Sequence, residues 1–439
     1  MIKEPIVLSL LLWLLVCLGV QAQELVPQVL TLDELFTLAE QNSQQLQVSR
    51  TGIELAGQQR AVAETQQRPS LSVSASGSYL GDVKILNPDL SEARSVEMPH
   101  FGNSFSVQAS QVVFKGGAIQ NSIERAQLSQ EVAQLNFDKN RADIKLLLVA
   151  RYVDLYRLAR QREVYQRNIE LAQLRMKNIQ NLYKQGMVTR NDLLRSELQI
   201  TNLSMAVQEV SNNLAISNYQ LRQIVGLPAN VQIVPDSSFL QTQLETRDYH
   251  TYLDLALQNF PDLKAGQVNV DIARKNLQIA KADKLPTVSL QAGNSLSRPL
   301  TNVSPAIDMY SQGWNVGVGI SYNLSSLYNA RHSIAVANTA VTQQQQMLAL
   351  QRQNIENEVN SAFIKHNEAR DRSRSFAQGV RLANENYRIV EKKYYGNLAL
   401  IVDLLDATNA KLDAELQKAN ADANIFYTYY QLQRLAGNL

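Results

Sequence analysis

Two hydrophobic periods alternate along this chain. Between residues 31 and 67 apolar positions recur at helical spacing, and Thr31 with Glu34 forms a capping box ahead of "LDELFTLAEQ". After Pro69 the period falls to two. Leu71, Val73, Ala75 and Tyr79 alternate with Ser70, Ser72, Ser74, Ser76 and Ser78, and Phe105, Val107 and Ala109 continue the pattern. From about Gly117 to Tyr183 the helical period returns without an internal proline, and a tight turn then leads into a return helix. The pattern predicts a helix over 31–67, strands over 70–80 and 103–114, and helices over 117–183 and 189–226.

The same order is then written again. "AEQNSQQL" from Ala39 recurs as "ALQNFPDL" from Ala256, an offset of 217 that also carries Pro69 onto Pro286. Beyond the strands the offset is 211: it carries "SIERA" from Ser122 onto "SIAVA" from Ser333, "NDLL" onto "VDLL", and "QLRQIVGL" from Gln220 onto "QLQRLAGN" from Gln431. The six-residue difference falls between Pro69 and Ser122, where a loop tolerates it. The expected organisation is a first repeat over 23–230, a linker over 231–247 and a second repeat over 248–439. The second repeat has a helix at 248–284, strands at 287–296 and 314–324, and helices at 327–394 and 399–436. Its last strand puts Trp314, Val316, Val318, Ile320, Tyr322 and Leu324 on one face, with only polar residues and glycine on the other.

At about 1.5 Å per residue each long helix should span roughly 100 Å. Its apolar positions keep steps of three and four: Ile169, Ala172, Met176, Ile179 and Tyr183 in one copy, Val380, Ala383, Tyr387, Val390 and Tyr394 in the other. Such stripes are helix–helix seams. Four strands are too few to close a membrane barrel, which needs about eight. Either they form a small soluble sheet or several chains pool them. The helices favour pooling, because paired helices of this length with a polar outer face must stack against copies of themselves.

Composition narrows the picture further. "MIKEPIVLSLLLWLLVCLGVQA", residues 1–22, has the lysine, apolar run and small-residue end of a secretory signal peptide cut after Ala22. The single cysteine, Cys17, lies within it, so the mature chain is expected to have no disulfide, no thiol nucleophile and no lipid anchor. A net charge of +2 with mixed signs gives no basic stripe for nucleic acid. His100, His250, His332 and His366 are scattered at no metal-ligand spacing. No nucleophile elbow, phosphate loop or dinucleotide fingerprint occurs, so no catalytic residue, metal or cofactor is expected.

The duplicated order, the prolines at strand entry, the "Y..G" turn at Tyr183 to Gly186 and the "VDLLDA" run at Val402 to Ala407 resemble the TolC family of outer-membrane efflux channels. The resemblance implies a mainly α fold with a β-barrel portion. Three chains would share a 12-stranded outer-membrane β-barrel continuous with a periplasmic α-helical barrel. It implies the outer membrane of a Gram-negative bacterium as location, with homotrimer contacts, outer-membrane lipid, a periplasmic membrane-fusion adaptor and, indirectly, an inner-membrane pump as partners. The expected role is a passive exit duct. The contrasting reading is a secreted coiled-coil scaffold that conducts nothing.

Residue by residue, the resemblance places Gly186, Met187, Asn397 and Leu398 at adaptor-docking turns. It places Asp403 and Asp406, three apart on one helix face, at the periplasmic aperture, where three chains would set six carboxylates that favour cations. The first copy keeps Asp192 but has Arg195 opposite Asp406, consistent with only one hairpin lining the aperture. Asp192 and Tyr394 match a gating network, yet the arginine of that network falls on Ala399 here, leaving Arg190 or Arg195 as substitute charges.

Overall fold

The computed structural model describes residues 26–236, 244–303, 306–396 and 398–439. The expected signal peptide, part of the expected linker and Asn397 lie outside these residues. By contacts the chain divides into two compact units, and neither is a sequence repeat. One comprises the chain up to Val48 with Asp138–Phe260 and Gln353–Leu439; the other comprises Ser49–Phe137 and Pro261–Arg352. Each unit draws matching pieces from both repeats.

The second unit holds the sheet. Strands β2 (Ser70–Tyr79), β5 (Phe101–Phe114), β7 (Thr287–Arg298) and β8 (Ser311–Ser321) run antiparallel in that order. The register pairs Val73 with Val107, Ala75 with Phe105, Phe105 with Leu296, and Leu290 with Val318, so apolar residues share one face. The other face carries serines, with Ser74 and Ser106 hydroxyls 2.8 Å apart. The apolar face is bare: Trp314 is 77% exposed and Val73 75%, and Leu71, Val316, Val318 and Ile320 are also exposed. Among the described residues β2 and β8 each pair on one side only. A soluble sheet hides its apolar face, and this one does not. A small hairpin missed in the sequence, β3 (Val83–Leu86) with β4 (Glu92–Val96), fills the connection between β2 and β5. Among the described residues, the corresponding connection in the second repeat holds a bridge between Leu300 and Ile307. The length difference between repeats sits here.

The first unit is mainly helical, and several of the helices described below extend into the second unit or belong to it. The helix expected over 31–67 is two helices, α1 (Leu32–Asn42) and α2 (Gln44–Glu64), followed by a 3₁₀ turn at Thr65–Gln67. The break falls at Ser43, whose ψ of 120° is extended. The helix expected over 248–284 breaks likewise at Phe260, ψ 121°, giving α5 (Tyr249–Asn259) and α6 (Pro261–Ala282). Pro261 explains the second break, because the residue before proline is driven out of the helical region. The first break stands at the matching position without a proline.

The expected linker contains β6 (Val231–Pro235), which pairs in parallel with β1 (Val26–Leu30), neither foreseen. Side chains from two helices fasten this pair. The Asn218 amide donates to Ile233 O at 2.7 Å and accepts from Ile233 N at 3.2 Å. The buried Tyr152 hydroxyl donates to Leu30 O at 2.8 Å and accepts from Asp236 N at 2.7 Å, and burial pushes its pKa up to about 12.

Two helical hairpins complete this description: α3 (Ala118–Lys184) with α4 (Arg190–Val225), and α7 (Ser326–Tyr395) with α8 (Ile401–Leu435). At 67 and 70 residues, α3 and α7 are each roughly 100 Å long. Helix α4 stops at Gly226 in the left-handed region, φ 69°, where a Cβ would meet the Cβ of Asn42 at 2.6 Å. Gly437 and Asn259 repeat that close approach at 2.7 Å. A glycine is required at both places by conformation and by space.

Candidate functional site

The candidate site lies where the two hairpin turns meet, within the first unit. Helix α3 ends in a Schellman motif. Gly186 sits at φ 72°, its N–H donates to Tyr183 O at 2.9 Å, and Met187 N–H donates to Leu182 O at 2.9 Å. In the second hairpin Leu398 N–H donates to Lys393 O at 2.8 Å, the same six-to-one bond moved by 211 residues. Gly396 is not left-handed, so the turn aligns Leu398 with Met187. Both residues are exposed, Leu398 by 79%.

The first acid of each "DLL" copy caps its own helix. Thr189 and Asp192 form a full capping box: Asp192 accepts from Thr189 N at 2.8 Å, and Thr189 Oγ1 accepts from Asp192 N at 3.4 Å. Asp403 keeps half of the device, accepting from Leu400 N at 2.9 Å, because Leu400 has no side-chain acceptor. A carboxylate at this position also meets the positive end of the helix dipole. The duplicated acid therefore has a structural duty in both copies. Asp406 has no such duty: it is exposed and makes no hydrogen bond or ion pair among the described residues. Asp403 and Asp406 share the exposed side of α8, while Ile401, Leu404 and Ala407 are buried.

Below the turns, Ile179, Tyr387, Tyr394, Ile401 and Leu404 form one buried cluster, with Val188, Leu193, Val390, Ala399 and Leu405 against it. All four long helices contribute, so the two hairpins share an apolar core. Ala399, at the position of the absent arginine, is part of that core. The Tyr394 hydroxyl is buried without a hydrogen-bond partner among the described residues. Burial first and the Asp192 carboxylate second push its pKa up to about 12. The two groups thus feel one another electrostatically, while the Asp192 oxygen is bonded to Thr189. Arg190 and Arg195 are exposed and form no ion pair among the described residues.

The charge buried at this level is another one, missed in the sequence. The buried seam of α3 runs through Val164, Asn168, Ala172, Arg175 and Ile179, at steps of four, four, three and four. Of the expected stripe Ala172 and Ile179 are buried, but the seam takes Asn168 and Arg175 beside Ile169 and Met176, and Tyr183 is exposed. Arg175 is 5% exposed and donates to Tyr387 Oη at 3.2 Å and to Gln199 Oε1 at 3.4 Å. Tyr387 Oη in turn donates to Glu391 Oε1 at 2.5 Å, and burial followed by this bond raises its pKa. Lys411 Nζ stands 4.9 Å from the centroid of the same ring. The available signal was a helical step that lands on an arginine.

Among the described residues no group of three or more His, Cys, Asp or Glu could hold a metal ion, and no helix is long and apolar enough to cross a membrane. A sheet with a bare apolar face and with edges unpaired among the described residues, on a chain that also carries helices of about 100 Å, defines the class: a protein whose strands are made to lie in a membrane. The chain belongs to the outer membrane efflux protein family, which matches residues 35–227 and 252–438, one match to each repeat. Members of this family are channels rather than enzymes. The chain is 22% identical to the outer membrane protein TolC of Vibrio cholerae over 258 residues, covering 58% of this chain and 59% of that protein. It is 20% identical to the outer membrane efflux protein BepC of Brucella suis over 413 residues, 93% of this chain and 86% of that one. The solved structure of the outer membrane protein VceC of Vibrio cholerae has the same fold, with a TM-score of 0.77 at 16% identity, over 92% of this chain and 96% of that one.

Proposed function

We propose that this protein is a passive exit duct. Three chains pool their strands into one barrel in the outer membrane and their helices into a periplasmic tunnel. The carrying observation is the four-stranded sheet whose apolar face is bare and whose edge strands β2 and β8 each pair on one side only among the described residues. Unpaired edges cannot sit in lipid, so copies must close them. The hairpin turns, with Met187 and Leu398 exposed, present the surface on which a periplasmic adaptor docks, and a pump in the inner membrane supplies energy and cargo. Asp403 and Asp406 face solvent together, and three copies of that pair at a constriction favour cations over anions.

Single-channel recording of the detergent-purified protein in a planar bilayer tests this reading. The expected result is a cation-selective conductance that a trivalent cation blocks from one side, with the block lost in Asp403→Ala/Asp406→Ala. A protein that stays in solution without detergent and gives no conductance would leave the scaffold reading in its place.

A further inference from the structure

Where α3, α7 and α8 pack in the first unit, their two sides differ. On one side the Tyr152 hydroxyl of α3 holds Leu30 and Asp236 at the ends of the β1–β6 pair, Leu244 packs against Val149 and Phe426, and Arg370 of α7 donates to Thr246 Oγ1 at 3.4 Å. At about 100° per residue, Ala150, Asp154 and Arg157 fall on the side of α3 opposite Tyr152. They line a cavity of about 560 Å³ together with residues of α7 and α8. That volume lies within the range of small-molecule sites, ~300–1,000 Å³.

The cavity is rich in donors that lack acceptors. Arg157 Nε is buried without a hydrogen-bond partner among the described residues, while Arg157 Nη2 pairs at 3.0 Å with Asp154, the one acid of the lining, and offsets its charge. Arg372 on α7 comes no nearer than 3.6 Å to Glu368, a carboxylate that Lys365 already bonds at 2.7 Å. Asn420 Oδ1 on α8 accepts from Gln161 at 3.2 Å, which leaves its NH2 group as a donor. Phe376 and Tyr427 supply ring surface to the same cavity. A planar guanidinium fork bonds a carboxylate or sulfonate better than it bonds water, because the acceptor carries charge. The duplicated plan lacks this chemistry: 211 residues earlier Arg372 becomes Gln161, Asn420 becomes Glu209 and Tyr427 becomes Ile216. The combination therefore occurs once per chain.

We propose that this cavity binds aromatic anions, with a carboxylate or sulfonate on Arg157 Nε and Arg372 and the ring against Phe376 and Tyr427. The β1–β6 pair is fastened to the opposite side, where three copies of it would obstruct a bore if that side faced inward. The cavity thus opens into the bore, where passing cargo meets it. This placement rests on the exit-duct reading; the binding site itself does not.

Isothermal titration of the full-length protein in lipid nanodiscs with naphthalene-2-sulfonate, with empty nanodiscs as the blank, tests the site. The expected result is one saturable site per chain, weakened roughly tenfold or more in Arg157→Gln, Arg372→Gln and Tyr427→Ala. Asn420→Glu, which restores the acid of the first repeat, should abolish it. Arg160→Gln, which alters an arginine beside a different cavity, should leave it unchanged. A cation on the same ring system, 2-naphthylmethylammonium, should give no saturable heat. Equal uptake of the two probes, or undiminished binding in Arg157→Gln/Arg372→Gln, overturns the proposal, and these glutamine variants carry the test even if Asn420→Glu fails to fold. Binding as expected with no conductance in the bilayer recording would sink the exit duct and leave the site standing. Conductance from a protein that binds neither probe would do the reverse.

Discussion

His366 gives a prediction that can be followed from atoms to a titration. It lies on α7, 1% exposed, with Nδ1 3.0 Å from Thr428 Oγ1 and Nε2 buried without a partner among the described residues. Around it stand Arg370 on its own helix and Thr428 and Tyr429 on α8, with the Tyr429 ring centroid at 6.2 Å. Burial first and Arg370 second bring its pKa from 6.5 down to about 4. The folded protein therefore holds this imidazole neutral where the unfolded chain would protonate it. Unfolding takes up a proton between about pH 6.5 and 4, so stability falls as pH drops through that window and loses nothing more from this group below it. At pH 5 the loss is about 2 kcal/mol per chain, from ~1.4 kcal/mol per pH unit.

The first repeat has Leu155 at the matching position, fully buried, which suggests the perturbation His366→Leu. Thr428 Oγ1 keeps its bonds to Asn424 O and Ile425 O, both 3.0 Å, so it is not left unpaired. At pH 8 the variant should match or exceed the parent by roughly 1 kcal/mol, because an unpaired buried nitrogen is removed with one hydrogen bond. At pH 5 its advantage should grow by about 2 kcal/mol. Carboxylates held below their usual range by capping hydrogen bonds, such as Glu34 and Asp248, act equally on both proteins. Urea unfolding in detergent at the two pH values, followed by helical circular dichroism, measures the difference. Equal acid sensitivity of parent and variant would refute the reasoning.

Two further perturbations separate backbone from surface effects. Gly186→Ala meets no atom within 4 Å but must hold φ near 72°, so it should cost roughly 1–2 kcal/mol and speed amide exchange at Met187, with Gly186→Asn costing less. Val318→Arg places a charge on the bare apolar face and should cost about 2–4 kcal/mol of membrane assembly, whereas Ser72→Arg, on the polar face, should assemble normally; equal assembly of the two in outer-membrane fractions would contradict the lipid-facing assignment.

Periodicity alone carried the order of elements. A period of two over Leu71 to Tyr79 and a long helical period without proline leave little choice of local structure, and matched offsets of 217 and 211 carried the plan to the second half. The capping box of Thr31 and Glu34 was legible because its chemistry lies within four residues. What the sequence left open were contacts between distant segments. The pairing of β1 with β6 joins residues about 205 apart, and its fasteners, Asn218 and Tyr152, lie on helices. The break at Ser43 has no proline to announce it. Nothing near Arg175 in the sequence marks it as buried; packing brings Tyr387, 212 residues away, to within a hydrogen bond of it. Local propensity and periodicity are written in neighbouring residues, whereas burial of a polar group depends on which helices face each other; only the tertiary structure decided that.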